Sequence, residues 1–357
     1  KRPARASFFV GVSAEWLTFV RSNRDKEMSK YRTAINGFGR IGRTLLKEVL
    51  RRNEIDVIAV HDLADMHTLL HLLKYDSTQG IFEMPIEVIG SNTARIGGRE
   101  IVFLQNLSEY PWREMRIDLV FECTGTMNTE AQCEEHLNNG AKRVLLSAPS
   151  EDKMSMWIVG VNDHQIDLDR KIISCASCTT NNAAPVIQLI DDAYGVESCY
   201  ISTVHSYTGD QKLHDAPHKD LRRARSAATS IVPTTTGAAR ALTKVFPHLS
   251  ERLGGCGIRV PVPNGSLSDL TFMVRSKTTA LQVNALFESW ANTHENIFEV
   301  SHEPLVSKDI VGNKHSCIID AELTSVIGYM IKVVGWYDNE MGYSNRLLDA
   351  AEKLRKH

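Results

Sequence analysis

Apolar and polar residues follow two different patterns along the chain, and the change falls near residue 178. Between residues 31 and 146, short β-type runs alternate with segments in which apolar residues recur at the helical period. The runs are 31–35, 55–60, 117–121 and 144–146, and the helical segments are 41–50, 66–73 and 130–137. Strands that alternate with helices are typical of a mostly parallel, doubly wound sheet. We therefore expect an α/β domain in this half of the chain.

The second half is rich in β-type runs with few helices between them. A polar, arginine-rich loop is predicted from 207 to 231 and a last helix from 341 to 354; the β-type runs are 200–204, 257–262, 270–274 and 329–334, with a helical segment at 281–291. This pattern predicts an α+β catalytic domain with a mixed, largely antiparallel sheet covered by helices on one face. We place the first domain at 31–177, completed by the C-terminal helix 341–357, and the second at 178–340.

The first thirty residues differ from the rest. Basic residues flank short apolar patches there, but Glu15, Asp25 and Glu27 count against a transit peptide. Met28 lies just before the first predicted strand. We interpret residues 1–30 as a leader that is non-native or disordered.

Composition excludes several classes of protein. The chain is 43% apolar and 24% charged, as globular proteins are. A net charge of −2 argues against a nucleic-acid partner, and the absence of a run of eighteen apolar residues argues against a membrane span. Seven cysteines without a spacing framework fit a reduced, cytoplasmic compartment better than a secreted one.

A glycine-rich motif follows the first predicted strand. Gly37, Gly39 and Gly42 match G-x-G-x-x-G at a strand-to-helix junction, where glycines permit a tight turn and the helix N-terminus accepts a pyrophosphate. Asp62 ends the second predicted strand, 20 residues beyond Gly42, where a carboxylate would bind the adenosine ribose hydroxyls and repel a 2′-phosphate. A plain tight turn would explain the glycines alone. The strand, helix and acid together favour a Rossmann-type domain that binds NAD rather than NADP.

A candidate nucleophile, Cys178, stands directly ahead of an apolar, helix-like stretch, and His205 follows in a strand-like stretch. A helix N-terminus stabilises a thiolate, and an imidazole can activate a thiol and carry its proton. Cys175 and Cys178 also form C-x-x-C, which leaves a redox disulfide or half a zinc site as alternatives. Since no second Cys/His pair has ligand spacing, we expect no metal. His205 alone would more often be structural.

Two further features suggest that an anion binds. Thr236 and Gly237 close a Thr-Thr-Thr-Gly run before a helix-like stretch, which offers hydroxyls and amides to an oxyanion. Arg259 lies within an apolar strand, and a guanidinium is rarely buried there without a phosphate or carboxylate partner. The arginine cluster at 222–225 could instead be a solvated face.

These segments together resemble the phosphorylating glyceraldehyde-3-phosphate dehydrogenase family. The resemblance covers the chain from residue 31 onward; its segments are I-N-G-F-G-R-I-G-R (35–43), A-S-C-T-T-N (176–181), T-V-H-S-Y-T (203–208), P-H-K-D-L-R-R-A-R (217–225), P-T-T-T-G-A-A (233–239) and W-Y-D-N-E-M-G-Y-S (336–344). It implies NAD-dependent oxidation and phosphorylation of D-glyceraldehyde 3-phosphate to 1,3-bisphosphoglycerate through a cysteine hemithioacetal and thioester. It also implies a homotetramer.

The resemblance implies a role for each site residue. Cys178 would be the nucleophile and His205 its base. The substrate's own phosphate would be held by Thr208, Asp210 and Arg259. The incoming phosphate would be placed by Ser177, Thr179, Arg223, Thr236 and Gly237. Beside the three glycines, NAD would be contacted by Arg40, Ile41, Asp62, Ser147 and Asn339.

The chain departs from the family pattern at several positions. Asn182 replaces a frequent second cysteine, and Cys175 replaces the usual asparagine, where it could form a disulfide with Cys178 under oxidation (hypothesis). Asn106 and Ala216 replace residues common near the adenosine, which leaves room for weaker NAD binding and some NADP use. The alternatives in function are an erythrose-4-phosphate dehydrogenase and a moonlighting binding protein on the same scaffold.

Overall fold

The computed structural model describes residues 30–52 and 54–357, which form two large β-sheets with helices packed against them. The predicted leader lies outside this part of the chain except for its last residue.

The first sheet and its helices are built from residues 31–174. The strands are β1 (Tyr31–Asn36), β2 (Ile55–His61), β3 (Tyr75–Asp76), β4 (Gly80–Ile81), β5 (Ile86–Val88), β6 (Thr93–Ile96), β7 (Arg99–Leu104), β8 (Leu119–Glu122), β9 (Arg143–Leu146) and β10 (Ile172–Ser174). The helices are α1 (Arg40–Arg51), α2 (Met66–Lys74) and α3 (Glu130–Asn138), with a 3-10 turn at Asp163–Gln165.

The first sheet is doubly wound, as predicted. Its strand order is β10-β9-β8-β1-β2-β7-β6-β5, while β3 and β4 form a separate hairpin. Strands from β10 to β7 run parallel, and β6 and β5 add an antiparallel edge that the hydrophobic pattern did not predict. The chain passes from β1 to β2, then to the edge strand β5, returns through β6 to β7, and crosses to β8 on the other side of β1. A topological switch point therefore lies at the carboxyl end of β1, where sheets of this kind bind ligands.

Both faces of this sheet are buried. Successive residues of β1 point to opposite faces, so Ile35 belongs to the same apolar cluster as Leu45 of α1 and Ala34 to the same cluster as Cys133 of α3. The apolar stripe of α1 is fully buried, which explains why this segment is helical despite its charges.

The second half of the chain supplies the second sheet and the remaining helices. The strands are β11 (Val196–Ser206), β12 (Val232–Thr234), β13 (Leu253–Val260), β14 (Ser266–Val274), β15 (Phe298–Ser301), β16 (Cys317–Asp320), β17 (Ser325–Ile327) and β18 (Met330–Tyr337). The helices are α4 (Cys178–Tyr194), α5 (Ala238–Val245), α6 (Ala280–Ala291) and α7 (Met341–Lys356), with 3-10 turns at Pro247–Leu249 and Ala321–Leu323.

The second sheet is mixed and largely antiparallel, as predicted. Its order is β12-β13-β11-β14-β18-β16-β15, with β17 beside β18. Among the described strand pairs of this sheet, β11–β13 and β15–β16 are parallel and the others are antiparallel. Helices α4, α5 and α6 share an apolar core with one face of this sheet. Tyr200 and Met273, on the other face, remain exposed.

The last helix, α7, packs with the first sheet. Leu347, Leu348 and Ala351 belong to the same apolar cluster as Leu45. The division at 31–177 and 178–340 stays a prediction. None of the described helices is both long and apolar enough to cross a membrane.

Candidate active site

The start of α4 is shaped by a residue in the left-handed region. Ala176 has φ +54°, which is unfavourable for a residue with a Cβ. Its backbone N–H donates to Ser174 Oγ (3.0 Å), and its carbonyl accepts the Tyr343 hydroxyl (2.9 Å). Ser177 then caps the helix by accepting the Thr180 N–H. These bonds hold the chain in a sharp turn that makes the next residue, Cys178, the first residue of α4.

The structure brings Cys178 and His205 together. Cys178 Sγ lies 3.6 Å from His205 Nε2, and His205 comes from the end of β11 with 5% of its surface exposed. The other ring nitrogen, Nδ1, lies 2.7 Å from the Ser206 carbonyl oxygen. The Ser206 carbonyl can accept a proton carried by Nδ1, and in that tautomer Nε2 is the acceptor that faces the thiol. In the other tautomer Nδ1 accepts from Arg259 Nη1 and Nε2 carries the proton.

Arg259 completes this cluster from β13. Its Nη1 donates to the Ser206 carbonyl (2.9 Å) and lies 2.6 Å from His205 Nδ1. Strands β11 and β13 pair in parallel register with His205 opposite Arg259, which explains the contact. Among the described residues its hydrogen-bond partners are the His205 ring and the Ser206 carbonyl, and the anionic partner that the sequence suggested stays a prediction.

The environment favours neutral forms of both reacting groups. Burial, together with the charge of Arg259, lowers the pKa of His205 to about 3. Burial also raises the pKa of the Cys178 thiol, and Arg259 opposes that shift in part. Both shifts oppose the thiolate that was expected at the helix N-terminus. With its proton on Nδ1, the neutral imidazole can accept the thiol proton at Nε2.

One cavity of about 790 Å³ collects most of the predicted site residues. It is lined by both candidate catalytic residues and by twelve other predicted residues: Gly39, Arg40, Ile41, Ser147, Ser177, Thr179, Thr208, Arg223, Thr236, Gly237, Arg259 and Asn339. The four that do not line it are Gly37, Gly42, Asp62 and Asp210.

Asp210 is turned toward Arg223 rather than into the cavity. Its Oδ2 lies 2.6 Å from Arg223 Nη1. Arg223 Nε also donates to Thr234 Oγ1 (3.0 Å), and its Nη2 donates to the Thr235 carbonyl (3.2 Å). Arg223 is therefore held at the wall of the cavity by these three partners and by an ion pair with Asp220 (3.6 Å). Its charge lowers the pKa of the Asp210 carboxyl, against the effect of burial.

Two of the three motif glycines are required by packing. Gly37 has φ +92°, and a Cβ there would lie 2.7 Å from the backbone carbon of Cys123. A Cβ on Gly42 would collide with the Gly37 carbonyl. A Cβ on Gly39 would meet open space, so Gly39 is the glycine that borders the cavity.

Asp62 lies against the glycine loop. Its Oδ2 accepts the Phe38 N–H (2.6 Å) and its Oδ1 accepts the Ala64 N–H (3.0 Å). These bonds fix the carboxylate at the end of β2, beside the switch point. Each carboxylate oxygen keeps a second lone pair that could accept a ribose hydroxyl.

The Arg40 guanidinium is paired with two carboxylates of the protein. Its guanidinium donates to Glu340 at 2.7 and 2.5 Å and to Asp76 at 2.8 Å. These bonds tie the start of α1 to the residue before α7. The side chain also lines the cavity.

Two tyrosines of the site were not singled out from the sequence. Tyr337 places its hydroxyl between Thr179 Oγ1 (2.9 Å) and Thr203 Oγ1 (2.8 Å), and Tyr343 anchors the Ala176 turn. Both lie in the segment W-Y-D-N-E-M-G-Y-S, and two tyrosines within one of the family segments could have indicated that they belong to the site.

Cys175 is buried in the apolar core of the first sheet. Burial raises the pKa of its thiol to about 12, so it is a poor nucleophile. Among the described residues, no group of three or more His, Cys, Asp or Glu side chains could hold a metal ion.

A dinucleotide-binding sheet whose ligand-binding end opens onto a cysteine–histidine pair is the arrangement of an NAD-dependent dehydrogenase. Residues 31–130 match the family model described as glyceraldehyde 3-phosphate dehydrogenase, NAD binding domain, and residues 177–339 match the C-terminal domain of that enzyme. The chain belongs to the glyceraldehyde-3-phosphate dehydrogenase family. Its activity is that of a glyceraldehyde-3-phosphate dehydrogenase, and its cofactor is NAD.

Known proteins of high similarity carry the same name. Glyceraldehyde-3-phosphate dehydrogenase A, chloroplastic, of Zea mays is 46% identical over 331 residues, 91% of this chain and 82% of that protein. Glyceraldehyde-3-phosphate dehydrogenase of Mycobacterium avium is 44% identical over 334 residues, 91% of this chain and 98% of that protein. Glyceraldehyde-3-phosphate dehydrogenase 2 of Bacillus subtilis is 45% identical over 325 residues, 90% of this chain and 95% of that protein.

Proposed function

We propose that this chain oxidises D-glyceraldehyde 3-phosphate through a thioester on Cys178, with His205 as the base. The observation that carries the proposal is the 3.6 Å contact between Cys178 Sγ and His205 Nε2 in the shared cavity. A neutral thiol beside a neutral imidazole is suited to proton transfer during attack.

The chemistry has three stages at these residues. As Cys178 Sγ forms a bond to the aldehyde carbon, His205 Nε2 takes the thiol proton, and the aldehyde oxygen becomes the hemithioacetal oxygen. NAD, when bound, supplies the hydride acceptor for the oxidation to the thioester. Inorganic phosphate then attacks the acyl carbon and the bond between that carbon and Cys178 Sγ breaks. 1,3-Bisphosphoglycerate leaves, and the Cys178 thiolate takes back its proton from His205. Phosphate can attack the acyl carbon because a thioester is a better acyl donor than a carboxylate.

Two groups of residues would bind the two phosphates. Arg259 and Thr208 would hold the substrate's phosphate, while Arg223, Thr236 and Gly237, with Ser177 and Thr179, would place inorganic phosphate. Support comes from the N-terminus of α5, whose first residue, Ala238, follows Gly237 at the cavity wall. Asp210 would act by orienting Arg223, since a carboxylate repels phosphate.

The residues at the switch point fit NAD. Gly39 leaves open space at the start of α1 for a pyrophosphate, and Asp62 offers a fixed carboxylate to the adenosine ribose. The same carboxylate would repel the 2′-phosphate of NADP. Ile41, Ser147 and Asn339 would form the rest of the cofactor's surroundings.

We also propose a homotetramer in the cytoplasm. Support for association comes from apolar side chains exposed on the outer face of the second sheet and in the loop 207–231; they are Tyr200, Met273, Leu213 and Leu221. Support for a reducing compartment comes from seven cysteines that are all free. Light scattering after size-exclusion chromatography should give four times the chain mass.

A single assay separates the candidate functions. NADH formation is measured with glyceraldehyde 3-phosphate or erythrose 4-phosphate, with and without phosphate, in the native chain and in Cys178→Ser. We expect phosphate-dependent activity with the three-carbon aldehyde and none in the serine variant. Activity that persists in Cys178→Ser, or that ignores phosphate, would contradict the mechanism.

A further inference from the structure

Two buried serines contact one oxygen of Asn339. Ser206 Oγ donates to Asn339 Oδ1 at 2.9 Å, and Ser266 Oγ donates to the same oxygen at 3.0 Å. Both serines are almost completely buried, with 0% and 1% of their surface exposed. The Ser206 backbone N–H donates to Ser266 Oγ (3.1 Å), which occupies one acceptor position of that hydroxyl.

The hydroxyl hydrogens of Ser206 and Ser266 need an acceptor, and this need determines the orientation of the Asn339 amide. With Oδ1 toward the serines, both hydroxyl hydrogens reach an acceptor. With the amide reversed, the Nδ2 hydrogens would face the serines, and the two hydroxyl hydrogens would lose this acceptor. Unpaired buried polar groups are costly, so the observed orientation is strongly preferred.

The other end of the amide faces the cavity. Asn339 Nδ2 has no hydrogen-bond partner among the described residues, and it is not one of the buried polar atoms without a partner. Since Asn339 lines the cavity, its NH₂ group is the part that a ligand can reach.

We propose that Ser206 and Ser266 are positioning residues that fix Asn339 as a hydrogen-bond donor to the carbonyl oxygen of the nicotinamide carboxamide. This inference rests on the proposed contact between Asn339 and NAD. It deepens that contact by assigning the orientation of the Asn339 amide to two buried serines.

The sheet explains why this arrangement is rigid. Ser206 ends β11, Ser266 begins β14, and Asn339 follows β18 by two residues. These strands are neighbours, and β14 is antiparallel to both others. The end of β11, the start of β14 and the end of β18 therefore lie side by side, which brings the three residues together. Ser206 also follows His205 directly. The end of β11 therefore carries both His205, the base at Cys178, and Ser206, which orients the donor Asn339.

The test compares binding of NAD with binding of ADP-ribose, which lacks the nicotinamide. The variants are Ser206→Ala, Ser266→Ala and the double variant in the full chain. The matched control is Ser268→Ala, because Ser268 is equally buried on β14 but its hydroxyl has no partner. Calorimetry should show a Kd for NAD about tenfold higher in the double variant. The Kd for ADP-ribose should be unchanged, and the control should bind both ligands as the native chain does.

A second readout distinguishes positioning from a merely structural effect. The 3-acetylpyridine analogue of NAD keeps the carbonyl oxygen but lacks the amide N–H. The native chain should bind the analogue nearly as well as NAD. In the double variant Asn339 can reverse and accept from the carboxamide of NAD, so the ratio of the analogue's Kd to that of NAD should rise about threefold. General loosening would weaken both ligands equally.

Three results would overturn the proposal. One is an unchanged Kd for NAD in the double variant, and another is an equal loss of ADP-ribose binding. The third is an Asn339→Ala variant that binds NAD normally, which would also remove the proposed cofactor contact. If Asn339→Ala weakens NAD binding but the double serine variant does not, only the role of the serines is refuted.

Discussion

Arg259 and Cys178 contact the His205 ring on opposite sides. Arg259 Nη1 lies 2.6 Å from Nδ1, and Cys178 Sγ lies 3.6 Å from Nε2. A positive charge at one nitrogen makes protonation at the other unfavourable. An anion bound to Arg259 offsets this charge. We therefore expect the substrate's phosphate to make His205 a stronger base when the aldehyde is in place.

The first prediction concerns stability in acid. The pKa of His205 is lowered from 6.5 to about 3 by burial and by Arg259. As pH falls, the unfolded chain binds this proton first, so the native state loses stability between pH 6.5 and 3 and keeps it above 6.5. The slope below pH 6 is about 1.4 kcal/mol per pH unit.

Urea unfolding of the native chain and of His205→Asn measures this effect. The difference in free energy of unfolding between the two should change by about 2 kcal/mol between pH 6.5 and 5, because the variant lacks the titrating group. Other groups titrate in both proteins and cancel in the difference. A difference that stays constant with pH would show that His205 is not held neutral.

The second prediction concerns Arg223. A lysine cannot reproduce the fork that contacts Asp210, Thr234 and Thr235, so Arg223→Lys should raise the KM for phosphate about tenfold. The kcat at saturating phosphate should change much less. Arg225→Lys is the matched control, because Arg225 is exposed and pairs with the exposed Asp215. Equal effects in both variants would mean that general loop charge, not Arg223 itself, attracts phosphate.

The third prediction concerns Asp62. An asparagine can still accept one backbone N–H but carries no charge, so the ribose loses a charge-assisted hydrogen bond and the 2′-phosphate of NADP meets less repulsion. Asp62→Asn should raise the Kd for NAD between tenfold and a hundredfold, about 1.5–3 kcal/mol. The ratio of the Kd for NADP to that for NAD should fall. Asp65→Asn is the control, since Asp65 only caps α2. A ratio that does not change would place the ribose elsewhere.

The fourth prediction concerns oxidation. Peroxide should convert the Cys178 thiol to a sulfenic acid with loss of water, and the Cys175 thiol can then displace a second water to give a disulfide. Mass spectrometry of the peptide that holds both cysteines should show the loss of two hydrogen atoms. In Cys175→Ser the sulfenic acid should persist or oxidise further. Burial of Cys175 in the core of the first sheet opposes the step, and no 175–178 linkage after peroxide would disprove the hypothesis.

Much of the fold followed from local pattern. The strands β1 and β2 and helix α1 were predicted because alternation and helical period are properties of single segments. The strands β5 and β6 were missed because they are only three and four residues long, too short for an alternating pattern to be recognised, although Ala94 and Ile96 of β6 are buried.

The sequence by itself determined the glycine turn, the carboxylate at the end of β2 and the placement of Cys178 at the start of α4. Each of these depends on the conformation of a few consecutive residues. Only the tertiary structure decided that Arg259 touches the His205 ring, that Asp210 turns to Arg223, and that burial raises the pKa of the Cys178 thiol. The physical reason is that burial and charge at a site are set by groups from distant strands, and the pattern of one segment carries no information about what packs against it.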